Sequence, residues 1–492
     1  MTDYLSRRRA PEWLTSFTID GREVVGAGAS LAVENPATEQ TLQVLPTATA
    51  DQVDQAVAAA RRAFDDGRWS GLPGHERAKL MHAFADRIES LHDTLSAGVV
   101  CEVGSPVSLA TTLHTQVAVQ VLRAYADLAG RDRTEDLGTD DATLRSRSVV
   151  AYRPMGVVAV ITAYNIPLLI LARAMGAALA AGCTTVVLPS PKAPLTSLIM
   201  ARAAAEAGLP DGVINIVVGE REAGERLGTH PEIDKVAFTG SLGVGRQIMA
   251  QAAPRLTRLS LELGGKSPSL LMPGYDAAET AYEIHARYLR NGGQGCAAPA
   301  RVLVPREYYD EFAELSRAAY ARLRTGDPWD PETVVGPMIG REHRDSVRAT
   351  LDRAVAAGAT VVAEGPEPET DRGWYMRATL VGGVDPASPI AQDEIFGPVG
   401  VLLPYDGVDD AVRLANGTAF GLSAHVYCRD TSDGVTLASR LQAGTVAVNG
   451  GGAFRPDAPF GGFKASGFGR EYGEWGVREF LEVQHVQWPV GS

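Results

Sequence analysis

The stretch GVVAVITAYNIPLLILARAMGAALAAGCTTVVL, residues 156–188, decides the fold. It opens with the apolar run GVVAVIT and closes with TTVVL, both short and rich in β-branched residues. The segment between them predicts a helix from Pro167 to Gly182, because Pro suits the first turn of a helix and Gly its end. Strand, helix and strand in this order predict a parallel pair with a right-handed crossover.

The same alternation continues toward the C-terminus. Short Val-, Ile- and Leu-rich strands without polar alternation are typical of a buried parallel sheet. We therefore predict a doubly wound α/β sheet, in a first domain that spans residues 1–133 and 155–262. Its remaining elements are the helix LTSLIMARAAAEAG and the strands GVINIVVG, DKVAFTG and RLSLEL.

Residues 51–130 precede this sheet and predict helices. Apolar residues recur at three- and four-residue spacing in VDQAVAAARRAF, and Asp51 is the candidate N-cap. RAKLMHAFADRIESL continues the same pattern. These helices belong to the first domain.

A second α/β domain is predicted over residues 263–462. It contains the helix AAETAYEIHARYLRN, the strand ARVLV, the helix YDEFAELSRAAYARL and a helix around 342–357. Residues 134–154 and 475–492 remain, and both include β-like sequence. A terminal strand with no local partner usually joins another sheet, often in a neighbouring subunit. We assign these two segments to a small β element for oligomerisation.

Composition excludes several classes of function. The chain has 492 residues, more than one core usually serves, and its net charge is −13. An acidic protein repels phosphate backbones, so no nucleic-acid partner is expected. The apolar runs are far shorter than the roughly 20 residues that a membrane helix needs, so no membrane partner is expected either.

The cysteines and histidines add two further expectations. Four cysteines in so long a chain form no disulfide framework, which indicates the reducing cytoplasm. The nine histidines do not cluster with Cys or carboxylates at ligand spacing, so no metal site is predicted.

Three residues carry the candidate chemistry. Asn165 lies in ITAYNIPL, Glu262 in LELGGKSP and Cys296 in NGGQGCAAPAR. They supply an amide donor, a carboxylate base and a thiol nucleophile flanked by small residues. Taken alone, each has an ordinary structural explanation: a turn residue, a ribose-binding acid and a buried thiol.

These phrases and their order resemble the aldehyde dehydrogenase superfamily over most of the chain. The resemblance implies an NAD(P)-dependent, non-phosphorylating enzyme that oxidises an aldehyde to the carboxylic acid. It implies that Cys296 is the nucleophile, Glu262 the general base and Asn165 an oxyanion-hole donor. It also makes residues 263–462 the catalytic domain and implies a homodimer or homotetramer.

Glu262 has a rival interpretation. It lies 22 residues after Gly240, which opens the turn GSLGVG after the strand DKVAF. In a standard dinucleotide fold, an acid at about this spacing binds the ribose hydroxyls. The glycine pattern here is G-x-x-G-x-G, so that fingerprint is weak, and the resemblance favours a general base.

Cofactor residues follow from further matched phrases, which include NGTAFGLSAHVY and PFGGFKASGFGREYG. In FTGSLGVG, Gly240, Ser241 and Gly245 are implied to approach the pyrophosphate, where helix N–H groups favour its charge. In EIFGP, the resemblance gives Glu394 the nicotinamide-side ribose and places Phe396 near the nicotinamide. It implies cofactor contacts also for Ile161, Thr162, Tyr164 and Leu263.

Two departures leave NAD against NADP open. In VVLPSPKAPL, the Lys and Glu usual in the family are replaced by Leu188 and Pro191. Lys192 is either a 2′-phosphate ligand or, as we favour, a solvated charge. The loop VVGEREAG is about one residue shorter than usual, so no cofactor residue is carried over there.

Substrate specificity has two interpretations. The helix after Asn165 and the loop GGGAFRPD, 450–457, are expected at the entrance, and the small residues of this loop leave room for a bulky aldehyde. Arg173 and Arg455 are candidate partners for a carboxylate, although we favour an ordinary surface or inter-subunit charge for each.

Two other functions compete with aldehyde oxidation to the acid. A CoA-acylating relative generally lacks the base at the position of Glu262. A catalytically silent homologue typically loses the Cys or the Glu, and this chain has both.

Overall fold

The computed structural model describes residues 10–140, 145–368, 370–451 and 454–490. Residues 1–9, 141–144 and 491–492, which belong to the segments assigned above, and Gly452 and Ala453 of the entrance loop lie outside the described residues. The strands are β1 (Phe17–Ile19), β2 (Arg22–Val24), β3 (Ser30–Asn35), β4 (Gln40–Pro46), β5 (Glu135–Asp140), β6 (Ser146–Pro154), β7 (Val157–Ile161), β8 (Thr184–Leu188), β9 (Ile214–Ile216), β10 (Lys235–Thr239), β11 (Arg258–Glu262), β12 (Pro268–Leu271), β13 (Arg301–Pro305), β14 (Thr360–Glu364), β15 (Thr379–Gly382), β16 (Val399–Tyr405), β17 (Phe420–Gly421), β18 (Ser423–Tyr427), β19 (Thr445–Val448), β20 (Phe463–Lys464), β21 (Gly467–Phe468) and β22 (Leu481–Pro489).

The α-helices alternate with these strands over most of the chain. A π-helical stretch, Ala110–Gln116, separates the fourth helix from the fifth. The α-helices are α1 (Ala50–Asp65), α2 (Gly74–Ser90), α3 (His92–Val103), α4 (Val107–Leu109), α5 (Val117–Ala129), α6 (Pro167–Ala181), α7 (Leu195–Glu206), α8 (Arg221–Thr229), α9 (Leu242–Ala252), α10 (Ala281–Leu289), α11 (Tyr309–Ala321), α12 (Arg341–Ala356), α13 (Pro389–Gln392), α14 (Val408–Asn416), α15 (Thr431–Ala438) and α16 (Gly473–Arg478).

The first sheet has the order β2-β1-β9-β8-β7-β10-β11-β21. The strands from β9 to β11 are parallel, and the sheet order reverses direction around β7. Every residue of α6 is buried between this sheet and the helices beside it. The strands β7 and β8 and the helix α6 lie where the sequence predicts them, and Gly182 ends the helix at φ +94°. The predicted α/β class is confirmed.

The second sheet has the order β14-β15-β16-β13-β12-β18-β19 and is parallel except for β14. Residues 263–267 alone connect β11 of the first sheet to β12 of the second. The hydroxyl of Ser466 reinforces this crossing, because it donates to the Gly264 carbonyl and accepts from the Gly421 N–H. The crossing therefore brings the end of β11 close to loops of the second sheet.

One local prediction is wrong, and the C-terminal strand has its partner within the chain. The N-cap of α1 is Thr49, whose side chain pairs reciprocally with Gln52 in a capping box, so Asp51 lies inside the first turn. The C-terminal strand β22 pairs along its whole length with β6 of the same chain, and β5 completes this third sheet. Sequence separation of more than 300 residues hid that pairing.

No helix among the described residues has both the length and the apolar character needed to cross a bilayer.

Candidate active site

A cavity of about 820 Å³ opens at the carboxyl ends of β7, β8, β10 and β11. This is the edge of a parallel sheet where α/β proteins bind ligands. All the sequence-predicted site residues except Gly245 line it. They are Ile161, Thr162, Tyr164, Asn165, Gly240, Ser241, Glu262, Leu263, Cys296, Glu394 and Phe396. Five separate segments of the chain thus converge on one cavity.

Cys296 follows a short turn whose backbone lies in the left-handed region. Asn291, Gly292 and Gly293 all have positive φ, between +58° and +73°. A side chain at Gly293 would lie 2.1 Å from the Gly397 carbonyl oxygen, so glycine lets this turn pack against the EIFGP segment. Burial raises the pKa of the Cys296 thiol to about 11, and the positive charge of Arg173 opposes that shift. Cys101, Cys183 and Cys428 are buried, whereas Cys296 is partly exposed.

Glu262 ends β11 and projects into the same cavity. It is 5% exposed, and neither carboxylate oxygen has a hydrogen-bond partner among the described residues. Burial raises its pKa well above the ordinary value, Glu471 adds to this, and Arg173 opposes it. A buried carboxylate with free lone pairs and a raised pKa is suited to accept a proton near neutral pH.

Asn165 is held in place by two hydrogen bonds to the Cys296 loop. The side-chain Nδ2 of Asn165 donates to the backbone carbonyl of Gln294 at 3.0 Å. The backbone carbonyl of Asn165 accepts from Asn291 Nδ2 at 3.0 Å. An amide nitrogen has two hydrogens, so one of them remains for an oxyanion. The bonds fix the amide beside the segment that carries the thiol.

The glycine-rich turn forms the floor of the cavity at the start of α9. Ser241 caps this helix by accepting from the Val244 N–H. Gly245 does not line the cavity. It packs against the Leu263 side chain, and a Cβ added at Gly245 would lie 2.7 Å from it. Its role in the structure is close packing of α9 against the crossing segment, while the free N–H groups of the first turn suit an anion.

Glu394 contacts the crossing segment directly. Its Oε1 accepts from the Gly265 N–H at 3.0 Å, and a Cβ at Gly264 would lie 2.1 Å from its Oε2. Burial raises the pKa of Glu394 to about 7, while the Gly265 N–H and Lys266 oppose the shift. Gly265 also admits the Cys296 backbone, because a Cβ there would lie 2.4 Å from the Cys296 carbonyl oxygen.

Sequence reasoning missed His343, which joins the predicted residues Tyr164 and Phe396 in an aromatic cluster. Tyr164, Phe396 and His343 lie with ring centroids 5.9 to 6.3 Å apart. His343 Nε2 lies 2.8 Å from the Phe396 carbonyl, and Phe396 has φ +56°, rare for a bulky residue. His343 lies on α12, distant in sequence from the matched phrases, so no motif indicated it.

Other parts of the cavity lining were only partly predicted. Leu188, the last residue of β8, and Pro191 after it line the cavity, although the resemblance gave them no role. The short loop after β9, from which no residue was carried over, contributes Gly219 and Glu220, and the start of α8 contributes Arg221, Gly224 and Glu225. Arg221 is paired with Glu225 at 2.7 Å.

The cations considered in the sequence have different surroundings. Arg173 is 2% exposed and forms an ion pair with Glu471 at 2.6 Å, so its interpretation as a surface or inter-subunit charge is wrong. Arg455 is exposed and paired with Asp457 at 2.6 Å, as a surface charge is expected to be. Lys192 is exposed, with its Nζ 5.9 Å from the Tyr164 ring centroid.

Comparisons with known proteins agree with this geometry. The aldehyde dehydrogenase family model matches residues 24–486. Geranial dehydrogenase of Castellaniella defragrans is 40% identical, over 96% of this chain and 99% of the relative.

Two solved structures add to this. The crystal structure of a cysteine-to-alanine mutant of aldehyde dehydrogenase C from Pseudomonas syringae, with NAD+ and octanal, superposes with a TM-score of 0.90 at 36% identity. It covers 96% of both chains. Betaine aldehyde dehydrogenase of Staphylococcus aureus, in complex with NAD+, has a TM-score of 0.93 at 31% identity and covers 98% of this chain and 96% of that one.

The family match spans nearly the whole chain, and the motif residues that it predicts converge on one cavity. The chain therefore belongs to the aldehyde dehydrogenase family.

Proposed function

We propose that this protein oxidises an apolar aldehyde to the carboxylic acid through a thioester on Cys296, with NAD as cofactor. One observation carries the proposal. Asn165, Glu262 and Cys296 meet in a single cavity whose other walls are the glycine-rich turn and Glu394. Separate structural explanations for the three residues do not account for their meeting.

The first step is carried out by Cys296 and Asn165. The Cys296 thiol first loses its proton to the Glu262 carboxylate, which passes it to solvent. The thiolate then attacks the aldehyde carbon, a C–S bond forms, and the carbonyl π electrons move to oxygen. The Nδ2 hydrogen of Asn165, together with the Cys296 N–H, donates to that oxyanion. Preorganised donors of this kind stabilise the tetrahedral species more than the free aldehyde.

The residues present fit a nicotinamide dinucleotide. The cavity volume lies within the range of about 300–1,000 Å³ found for small-ligand sites. The N-terminus of α9 suits a pyrophosphate, and Glu394 suits ribose hydroxyls. When bound, the dinucleotide supplies the hydride acceptor that allows the tetrahedral adduct to become a thioester. Tyr164 and Phe396 would exclude water from the part of the cavity that receives the nicotinamide ring.

Glu262 completes the reaction. Its carboxylate takes a proton from a water molecule, whose oxygen forms a bond to the thioester carbon. The C–S bond then breaks, the Cys296 thiolate leaves, and the carboxylic acid is released. Both carboxylate oxygens of Glu262 are without a hydrogen-bond partner among the described residues, so they are free to accept this proton.

NAD is the cofactor that we propose over NADP. Glu220 and Glu225 line the cavity near Leu188, in the region where the family's adenine-side ribose contacts are expected. The Arg221 charge there is already offset by Glu225. A 2′-phosphate would therefore meet net negative charge. The relatives solved with NAD+ support the same choice.

The proposed substrate is an apolar aldehyde rather than a semialdehyde. Arg173 and Arg455 are both paired with carboxylates, so neither offers an unshared charge to a substrate carboxylate. Phe454, Phe460 and Tyr472 form an aromatic cluster beside the expected entrance loop. Octanal in one relative and geranial in the name of another are apolar aldehydes.

We also propose the arrangement into units given by the sequence: cofactor domain 1–133 and 155–262, catalytic domain 263–462, and oligomerisation element 134–154 and 475–492. Strand β22 exposes Val486 and Trp488 on one side of the sheet, as a face that pairs in a homodimer or homotetramer would. Light scattering on the wild type and on Val486→Glu tests this. The reactive thiol suits a reducing cytoplasm.

The proposed reaction is tested by following absorbance at 340 nm with NAD and NADP separately. The substrates are linear aliphatic, terpenoid, aromatic and carboxylate-bearing aldehydes, and Cys296→Ala is the control. We expect turnover of the apolar aldehydes with NAD, abolished in the variant. Turnover that persists in Cys296→Ala, or that needs added CoA, would overturn the proposal.

A further inference from the structure

A buried arginine lies behind the catalytic residues. The helix α6 carries a single charged residue, Arg173, and the whole helix is buried. Removing a guanidinium from water costs several kcal/mol unless it is paired and hydrogen-bonded. The position therefore requires partners, and the identity of those partners indicates what the charge does.

The partners of Arg173 connect it to the active site. Its Nε lies 2.6 Å from Glu471 Oε2, and its Nη2 donates to Thr239 Oγ1 at 3.4 Å. Its guanidinium carbon lies 5.5 Å from the Phe460 ring centroid. Thr239 ends β10, directly opposite Glu262 in the register of the sheet. The charge is thus fixed beside the base.

A second, small cavity separates Arg173 from Glu262. Its volume is about 10 Å³, room for about one water molecule. Its polar lining consists of Arg173, Thr239, Ser260, Glu262, Arg470 and Glu471. The guanidinium therefore acts on Glu262 across a short, enclosed space in which charges are poorly screened.

The charges that face this region are few and differ in sign. Glu262 comes from β11, Glu471 and Tyr472 from the segment before α16, Glu394 from the EIFGP segment and Cys296 from its loop. Arg470 and Glu479 act on Glu262 from farther along the C-terminal segment. Thr239 and Glu262 line both this small cavity and the main cavity that Cys296 lines, so the guanidinium lies just behind the wall of the thiol's cavity. Its positive charge there favours the thiolate, while the negative charges of Glu394, Glu262 and Glu471 oppose it.

We propose that Arg173 is a positioning residue whose buried positive charge stabilises the Cys296 thiolate, and that Glu471 holds the guanidinium in place while offsetting part of its charge. The inference rests on the proposed function only in taking Cys296 as the nucleophile. It explains why a helix with no other charge keeps a guanidinium, and it gives Glu471 and Arg173 opposite effects on the thiol.

The test measures the alkylation rate of Cys296 by iodoacetamide against pH in the full-length protein, with the site identified by mass spectrometry. The variants are Arg173→Met, Arg173→Lys, Glu471→Gln and the double variant Arg173→Met/Glu471→Gln. The thiolate is the reacting species, so the rate reports its population.

The expected changes have opposite signs. Arg173→Met slows alkylation at pH 7 about tenfold, the change that one pKa unit gives. Glu471→Gln accelerates it, Arg173→Lys retains most of the wild-type rate, and the double variant lies between the single variants. If Arg173 and Glu471 have only a structural role, each single variant loosens the site and both change the alkylation rate of Cys296 in the same direction. A change in the same direction in both variants would therefore overturn the proposal.

Two controls keep the outcome decisive. Arg173→Met leaves Glu471 buried without its partner, and where that variant fails to fold, the double variant is compared with Glu471→Gln instead. It must be alkylated more slowly. If the wild-type protein oxidises aldehydes and the Arg173 variants are alkylated at the wild-type rate, this inference alone is refuted. If the wild-type protein does not oxidise aldehydes, the proposed function is refuted.

Discussion

Replacing Gly265 by alanine tests whether backbone contact between the two sheets positions the nucleophile. Gly265 lies in the crossing segment, and its missing side chain admits the Cys296 carbonyl oxygen. An added Cβ would lie 2.4 Å from that oxygen, with Leu422 Cβ at 3.4 Å and Ser267 Oγ at 3.5 Å. The close contact is to backbone, which cannot rotate away, so the Cys296 segment must shift.

The size of the shift sets the expected effect. Ordinary contact begins near 3.4 Å, so the carbonyl must retreat by about 1.0 Å. A displacement of about 1 Å at a reacting group costs on the order of 10²-fold in rate. Inserting a methyl group into packed surroundings also costs about 1–3 kcal/mol of stability, which leaves a large protein folded. We therefore expect a kcat about 10²-fold below the wild-type value.

The assay separates chemistry from binding. Turnover at saturating aldehyde and NAD gives kcat, cofactor fluorescence gives the dissociation constant of NADH, and circular dichroism gives the thermal midpoint. Gly326→Ala is the matched control, because no atom lies within 4 Å of its added Cβ and its φ is not positive. We expect the control to match the wild type in all three measurements.

A Gly265→Ala enzyme with wild-type kcat would refute this reasoning. It would mean that the Cys296 loop adapts without loss, so that contact from the crossing segment does not fix the nucleophile. If NADH affinity falls by the same factor as kcat, the substitution acts on the cofactor site rather than on the position of Cys296, and the reasoning is likewise refuted.

Other changes test the remaining parts of the site. Asn165→Ala should lower kcat about 10²- to 10³-fold with NADH binding unchanged, the usual effect of one oxyanion donor; a change confined to KM would contradict it. Gly264→Ala should displace Glu394 and weaken NADH binding, measured by fluorescence, by at least about tenfold, since a hydrogen bond to a charged group contributes about 1.5–3 kcal/mol. Wild-type affinity would exclude that role. Single-turnover thioester hydrolysis should slow as pH falls through the raised pKa of Glu262, because a protonated carboxyl cannot accept the proton of water. Glu262→Gln should abolish this dependence, and a rate that is flat with pH in the wild type would reject the assignment. Thr49→Ala should lower the free energy of unfolding by about 1 kcal/mol in urea through loss of the cap, with Thr49→Ser close to wild type; an unchanged midpoint would rule this out.

The sequence predicts the first sheet well because its strands and helices carry strong local patterns. Pro167 and Gly182 bound α6 as expected, since both act through local backbone geometry. The cap of α1 was misplaced by two residues, because Thr49 and Asp51 are both acceptable caps and only the Gln52 contact decides between them. Local chemistry does not settle such cases.

Features that depend on distant residues could not be predicted. The pairing of β22 with β6 joins segments far apart in sequence. His343 and Arg173 have no motif, and their roles follow from neighbours such as Phe396 and Glu471 that only the fold brings near. The three residues that we propose as catalytic were recognisable because each lies in a phrase of its own.

The crossing segment has a consequence for building hybrid enzymes. Glu262, the proposed base, is the last residue of β11 in the first sheet, and Cys296, the proposed nucleophile, lies in a loop of the second. Residues 263–267 join β11 to β12, and the chain returns to the first sheet only at β21. A chimera joined at this boundary would take its base from one parent and its nucleophile from the other. Parent enzymes that act on different aldehydes can thus be recombined only where the Gly265–Cys296 contact is matched. The crossing segment should therefore be transplanted together with the loop that carries Cys296.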